Sequence, residues 1–260
     1  MRAVCLIIYL SVFWFAQFFS TYASADTGEV DLELVLAVDA SGSVDPDEFN
    51  LQLNGIATGI SDEGVIAAIK QGPKGRIAIN LIVWAEAGYP KQTSGWMVIG
   101  SAQDARAVAA KIAGFPRKVS GGTGLGDGLA VAIRSFDENL FNAERRVVDV
   151  SGDGRETTPR NFTVQLNQAR AMAYARSVTV NALAILNEDR ELDTYYRENL
   201  QTGRGSFVVA VARYEDFAEA MRKKLLREIT YRPKVSEGRR HDKFRHVELA
   251  LPELNSSRQK

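Results

Sequence analysis

The apolar run Leu32-Glu33-Leu34-Val35-Leu36-Ala37-Val38 ends directly on Asp39-Ala40-Ser41-Gly42-Ser43. A run of that length and composition reads as a buried strand. The Asp-x-Ser-x-Ser set then falls on the loop at the strand's carboxyl end, the edge where open α/β sheets bind their ligands. A carboxylate and a pair of hydroxyls on a tight, glycine-containing turn offer converging oxygen ligands. That donor set suits a hard cation, Mg²⁺ or Mn²⁺, rather than zinc. Alone the motif is weak, because Asp and Ser also follow strands as caps of the next helix.

Downstream, strand and helix signals alternate. Asp45-Pro46 marks a helix start, with Asp as N-cap and Pro at the first helical position. Phe49, Leu53, Ile56 and Ile60 then recur at helical spacing. Gly72-Pro73-Lys74-Gly75 is a turn into a strand from Arg76 to Trp84, and another strand is expected from about Gln92 to Ile99. So short a connection favours an antiparallel pair, since a parallel partner needs a longer crossover. Ser101 heads an Ala-rich helix ending at Gly114. Further helices are expected through Leu129, Ile133 and Phe136, from Pro159 to about Ser177, from Asp189 to Leu200 and from Tyr214 to Ile229. Strands are expected at 145–150, Val178 to Leu186 and Ser206 to Ala212. This alternation predicts a doubly wound α/β sheet.

Two other segments bear on the acidic loop. Ser120-Gly121-Gly122-Thr123-Gly124-Leu125-Gly126 opens a helix, and the buried strand through Val147, Val148, Asp149 and Val150 ends in Ser151-Gly152-Asp153-Gly154. Asp-x-Ser-x-Ser, a Thr in a Gly-rich loop, and Ser-Gly-Asp-Gly after a strand together resemble the metal-ion-dependent adhesion site of a von Willebrand factor type A (VWA) domain. The resemblance runs from about residue 30 to residue 230. It implies a mostly parallel six-stranded sheet with helices on both faces and one antiparallel edge strand. It also implies that Ser41, Ser43 and Thr123 are hydroxyl ligands of one Mg²⁺ or Mn²⁺ ion, with Asp39 and Asp153 acting directly or through water. The partner implied is a protein whose Asp or Glu carboxylate completes the coordination sphere. Leu192-Asp193-Thr194-Tyr195-Tyr196-Arg197, Phe207-Val208-Val209 and Asp216-Phe217-Ala218-Glu219-Ala220 are similar to a bacterial secreted branch of that family, many of whose members have no assigned function. Asp149 reads as a packing or loop-bonding residue and Asp127 as a first-turn carboxylate favoured by the helix dipole, not as ligands.

The N-terminus carries Arg2, an apolar stretch from Ala3 to about Phe19, and the small-residue site Ala23-Ser24-Ala25. That layout predicts a secretory signal peptide over residues 1–25, with Asp26 as the first mature residue. A membrane association is expected only if this segment stays uncleaved. The only cysteine, Cys5, lies inside it, so the mature chain has no disulfide, thiol nucleophile or thiolate metal site. Residues 26–230 suffice for one domain. Residues 231–260 carry eight Lys or Arg against four Asp or Glu, with both histidines, and read as an extended or disordered basic tail. The expected destination is periplasmic or extracellular.

Several functions are disfavoured. The formal net charge of zero gives no reason to expect nucleic acid. The glycines from Gly121 to Gly128 close no Gly-x-Gly-x-x-Gly register and lead into no Gly-Lys-Ser/Thr, which argues against a nucleotide. They read instead as a way to bring Thr123 close to an ion. With histidine confined to His241 and His246, the folded region lacks a Ser-His-Asp or Cys-His arrangement. The expectation is therefore an exported, metal-dependent protein-binding module and not an enzyme. The alternatives are a metal-assisted phosphoester hydrolase and a metal-independent scaffold that binds through its basic tail. Trp84, Trp96 and Tyr195-Tyr196 read as partial core rather than recognition surface.

Overall fold

The structure, a computed structural model, describes residues 28–157 and 162–230. The expected signal peptide and basic tail lie outside the described residues. Strands β1 (Glu33–Asp39), β2 (Ile77–Trp84), β5 (Arg146–Gly152), β6 (Thr179–Ile185) and β7 (Val208–Val211) pair in parallel. Strands β3 (Gln92–Thr93) and β4 (Met97–Ile99) both run antiparallel to β2. The order across the sheet is β3-β2-β1-β5-β6-β7, with β4 also on β2. Every residue of β1 is buried, as a central strand covered on both faces requires. Chain order reverses beside β1, between its neighbours β2 and β5. In doubly wound sheets the ligand crevice opens at that switch point, off the carboxyl ends of the strands.

Helices cover both faces. Leu34, Leu36 and Val38 of β1 pack with Phe49, Leu53, Ile56 and Ile60 of α1 (Pro46–Ser61) and with Met221 and Leu225 of α7 (Phe217–Thr230). Helices α2 (Glu63–Lys70) and α3 (Ala102–Ala113) complete that layer. Val35 and Ala37, pointing the other way, meet Leu129 and Ile133 of α4 (Leu125–Arg134), Ala169 of α5 (Leu166–Ala175) and Tyr196 of α6 (Leu192–Asn199). Gly128 lets α4 lie against β2, since a Cβ there would come 2.7 Å from the Trp84 ring. The expected start of α1 holds: Asp45 and Glu48 exchange side-chain-to-backbone bonds at 2.8 Å, and Pro46 opens the helix.

The structure corrects several boundaries. The expected strand from Gln92 to Ile99 is two short ones, so the sheet has seven strands, not six. Ile82 faces Thr93 but Ile79 faces Met97, so one extra residue is accommodated between them as a bulge. Ser94 Oγ accepts from Leu81 N at 3.0 Å, and Gly95 takes a left-handed φ of 71°. Of the helix expected from Pro159, residues 158–161 lie outside the described residues and Phe162–Gln165 are not helical. Glu156 sets the actual start, its carboxylate accepting from Leu166 N and from Gly126 N, each at 3.0 Å. Helix α6 begins at Leu192 rather than Asp189, and Phe136 lies in a 3-10 turn after α4.

Candidate metal centre

Asp39 ends β1 and Asp153 directly follows β5, so the switch point carries both expected carboxylates. Asp39 Oδ1 accepts from Ser41 N at 2.7 Å, which curls the turn back on the strand. Ser41 Oγ lies 3.4 Å from Ser43 Oγ and accepts from Thr123 Oγ1 at 3.4 Å. Ser43 Oγ donates to Asp153 Oδ1 at 2.7 Å. All five residues expected from the sequence are thus brought into one connected cluster. Asp39, Ser41, Thr123 and Asp153 are buried, while Ser43 is exposed at the rim.

Backbone bonds lace the contributing loops together. Ala40 N donates to Trp84 O at 2.8 Å, Gly42 N to Gly121 O at 2.8 Å, Gly124 N to Ala85 O at 3.0 Å and Thr157 N to Thr123 O at 3.0 Å. Gly152 is needed for close approach, because a Cβ there would stand 2.9 Å from Asp39 Oδ2. Sequence reasoning missed the residues that support the cluster. Arg117 donates to Val44 O at 2.8 Å, Ala40 O at 2.9 Å and Ser41 O at 3.0 Å, pinning the turn from beneath. Tyr214 donates to Asp153 Oδ2 at 3.0 Å, and Tyr196 to Gly154 O at 3.2 Å. No local spacing announces any of these, because each bond joins segments far apart in sequence.

The electrostatics are unusual for so small a cluster. Burial pushes the Asp39 carboxyl up to about 7, against the hydrogen bonds from Ser41. Asp39 Oδ2 is buried and has no hydrogen-bond partner. Among the described residues no group of three or more His, Cys, Asp or Glu is placed to hold a metal. A cation here would therefore rely on hydroxyl oxygens beside the two carboxylates, a set that fits a hard ion.

The other residues weighed in the sequence have different tasks. Asp127 accepts from Lys91 Nζ at 2.7 Å and Gly88 N at 2.9 Å, tying the loop after β2 to α4. Burial opposes its charge, but these donors outweigh it and hold the carboxyl below its ordinary range. Asp149 pairs with Lys224 Nζ of α7 at 2.5 Å, deep in the core. Trp84 and Tyr196 are core residues, and half-buried Trp96 packs on Phe136 and Phe141.

A family model described as "Protein of unknown function (DUF1194)" matches residues 29–233. The chain belongs to that family. No curated protein matches it. Among solved structures, the pilus adhesin SpaC from Lactobacillus rhamnosus GG superposes with a TM-score of 0.54 at 14% identity, covering 77% of this chain and 31% of SpaC. The vWF domain of the type V pili tip protein Mfa5 from Porphyromonas gingivalis gives 0.52 at 11% identity, covering 80% of this chain and 98% of that one. Proximal thread matrix protein 1 (PTMP1) from the mussel byssus, with a zinc-occupied MIDAS motif, gives 0.51 at 15% identity, over 77% of this chain and 46% of PTMP1. The fold of this DUF1194 member is that of a VWA domain. The chain spans about a third of the length of SpaC and about half that of PTMP1.

Proposed function

We propose that this DUF1194 member is an exported, metal-dependent, adhesion-type protein-binding module and not an enzyme. The observation that carries the reading is Asp39 Oδ2, a buried carboxylate oxygen without a hydrogen-bond partner, in a cluster otherwise made of hydroxyls and one further carboxylate. A buried polar atom left unpaired is unfavourable, and a cation offsets that penalty. Asp39, Ser41, Ser43, Thr123 and Asp153 would hold the ion, directly or through water. An ion held mostly by neutral oxygens keeps charge with which to attract a carboxylate from a protein partner.

The chain's own residues supply the rest. Arg117 fixes the turn, Tyr214 orients Asp153, and exposed Ser43 leaves the rim open to a partner. A pilus adhesin, a pili tip protein and a byssal matrix protein among the structures of this fold support an extracellular binding role. So does the signal-peptide pattern of residues 1–25. Among the described residues no helix is long and apolar enough to cross a membrane. Against an enzyme, the hydroxyls of Ser41, Ser43 and Thr123 bond to one another and to Asp153, and among the described residues no lysine or histidine bonds to them as a base.

The deciding experiment follows the melting temperature in Mg²⁺, Mn²⁺ and Zn²⁺ against a chelator, for the wild type, Asp39→Ala and Ser43→Ala. A cation that binds only the folded state stabilises it by about 2.7 kcal/mol at a hundred times Kd. A shift confined to the wild type supports the reading, and identical melting of all three in every cation overturns it. Deleting residues 231–260 separates this mode from binding through the basic tail, which would be lost without any change in the cation response.

A further inference from the structure

The two edges of the sheet differ. At one, β3 and β4 are two and three residues long and are offset by the bulge at Ser94. Lys111 Nζ donates to Ser94 O and Gln92 Nε2 to Pro116 O, each at 2.8 Å, so that edge is short, broken and partly covered. At the other, β7 ends the strand order. Phe207 O and Val211 O accept from Ala182 N at 3.1 Å and Leu186 N at 2.9 Å, so these residues, and Val209 between them, turn their backbone groups toward β6. Backbone direction alternates along a strand, which leaves the N–H and C=O of Val208 and Ala210 pointing outward. Among the described residues no strand pairs with them. The stretch from Phe207 to Ala212 contains no charged residue and no proline, the devices with which sheet edges resist a further strand.

A groove of about 520 Å³ lies between β7 and α7, and its two ends carry opposite charge. At the amino end of β7 the Arg227 guanidinium stands 3.7 Å from the centroid of the Phe207 ring. Beyond the carboxyl end, Glu215 and Asp216 lead into α7. All three charged residues are exposed. The ion pairs of α7 among the described residues, Glu219 with Arg222 and Lys223 and Lys224 with its two carboxylates, leave them out.

We infer that β7 is a pairing edge whose occupant is a second copy of this chain, its β7 running antiparallel across a two-fold axis. Outward N–H and C=O groups at this spacing are satisfied by an extended strand. Antiparallel pairing sets the amino end of each β7 against the carboxyl end of the other. With the two-fold perpendicular to the sheet, both α7 helices lie on one face, and Arg227 of each copy meets the partner's Glu215 and Asp216. Parallel pairing would instead oppose like charges at both ends. The metal centre lies at the carboxyl ends of β1 and β5, separated from β7 by β6, so both clusters stay open and face opposite ways. On the metal-site reading such a dimer bridges two partners instead of gripping one. The pairing itself does not depend on that reading.

The test is sedimentation velocity of the purified protein over a concentration series in chelator, which keeps the cation out of the result. The wild type should pass from monomer to dimer as concentration rises. Ala210→Pro removes an outward N–H and leaves the bonds to β6 in place, as edge positions allow. It should weaken dimerisation at least about tenfold while keeping the wild-type circular dichroism. Arg227→Glu and Asp216→Arg should each weaken it comparably, because each sets like charges together at both symmetric contacts. An equimolar mixture of these two variants should recover the dimer, since opposite charges then meet at both contacts. A wild type that stays monomeric, a dimer indifferent to Ala210→Pro, or charge variants that dimerise normally alone or fail to recombine overturns the inference.

Discussion

Tyr214 donates its hydroxyl to Asp153 Oδ2 at 3.0 Å, while Ser43 occupies Oδ1 of the same carboxylate at 2.7 Å. Tyr214 sits in the 3-10 turn that leads into α7, so the last helix of the domain is anchored to the cluster at the switch point. Both Asp153 oxygens are thereby oriented, in contrast to Asp39, whose Oδ2 has no such donor.

Tyr214→Phe keeps the ring and removes the donor. The buried Asp153 oxygen is then unsatisfied, at about 1–3 kcal/mol. Expected are a lower melting temperature and a smaller cation-induced shift at fixed cation concentration. Unchanged melting in chelator would show that the bond contributes nothing to the fold.

Arg117 holds three carbonyls of the serine turn from one guanidinium. A lysine there retains the charge but not the planar fork. Arg117→Lys should therefore weaken cation affinity by roughly tenfold, about 1.4 kcal/mol, as measured by titration calorimetry. Wild-type affinity in this variant would reduce the role of Arg117 to its charge.

Lys224 is fully buried between Asp149 at 2.5 Å and Glu228 at 2.8 Å, and Asn181 donates to Glu228 at 2.7 Å. Lys224→Met leaves the buried Asp149 and Glu228 side chains without their cation. The expected loss in urea unfolding is about 3–5 kcal/mol. Adding Asp149→Asn should return part of it, because contacting residues are not additive. Equal loss with and without the second change would contradict the pairing.

The same triad gives stability a pH dependence. Burial, reinforced by the Glu228 charge, raises the Asp149 carboxyl above its ordinary range despite Lys224. The folded state thus holds this proton more tightly than the unfolded chain. Its contribution is fully present below the ordinary carboxylate value of about 3.9 and is lost as pH rises through the raised folded value. Asp149→Asn lacks that loss, so its stability relative to wild type should increase between about pH 5 and pH 9. A difference independent of pH in denaturant midpoints would reject the shift.

Much of the fold could be read from patterns within single elements. The β1 run, the Asp45-Pro46 start of α1 and the apolar spacing of Phe49, Leu53 and Ile56 are local signals, and each corresponds to an element with nearly the expected bounds. The misread boundaries are those set from a distance. The bulge at Ser94 depends on its bond to Leu81, and the start of α5 depends on Glu156. Neither partner can be found by periodicity.

The cluster divides in the same way. Asp39, Ser41, Ser43 and Asp153 are legible by type and by their place after strands, Thr123 by its Gly-rich loop, and the set as a candidate site only through the resemblance to a VWA metal site. Their convergence, the burial that pushes Asp39 to about 7, and the supports from Arg117 and Tyr214 were decided only when β1 and β5 became neighbours. Lys224 makes the same point within one helix: it stands beside Lys223 in a segment rich in Lys and Arg, yet packing places it in the core beside Asp149. Sequence determined the residue types and the local turns of this protein, which depend on short-range backbone preference. Tertiary structure decided which charges lose water and which partners they meet, because desolvation and long-range hydrogen bonds exist only once the strands and helices have packed.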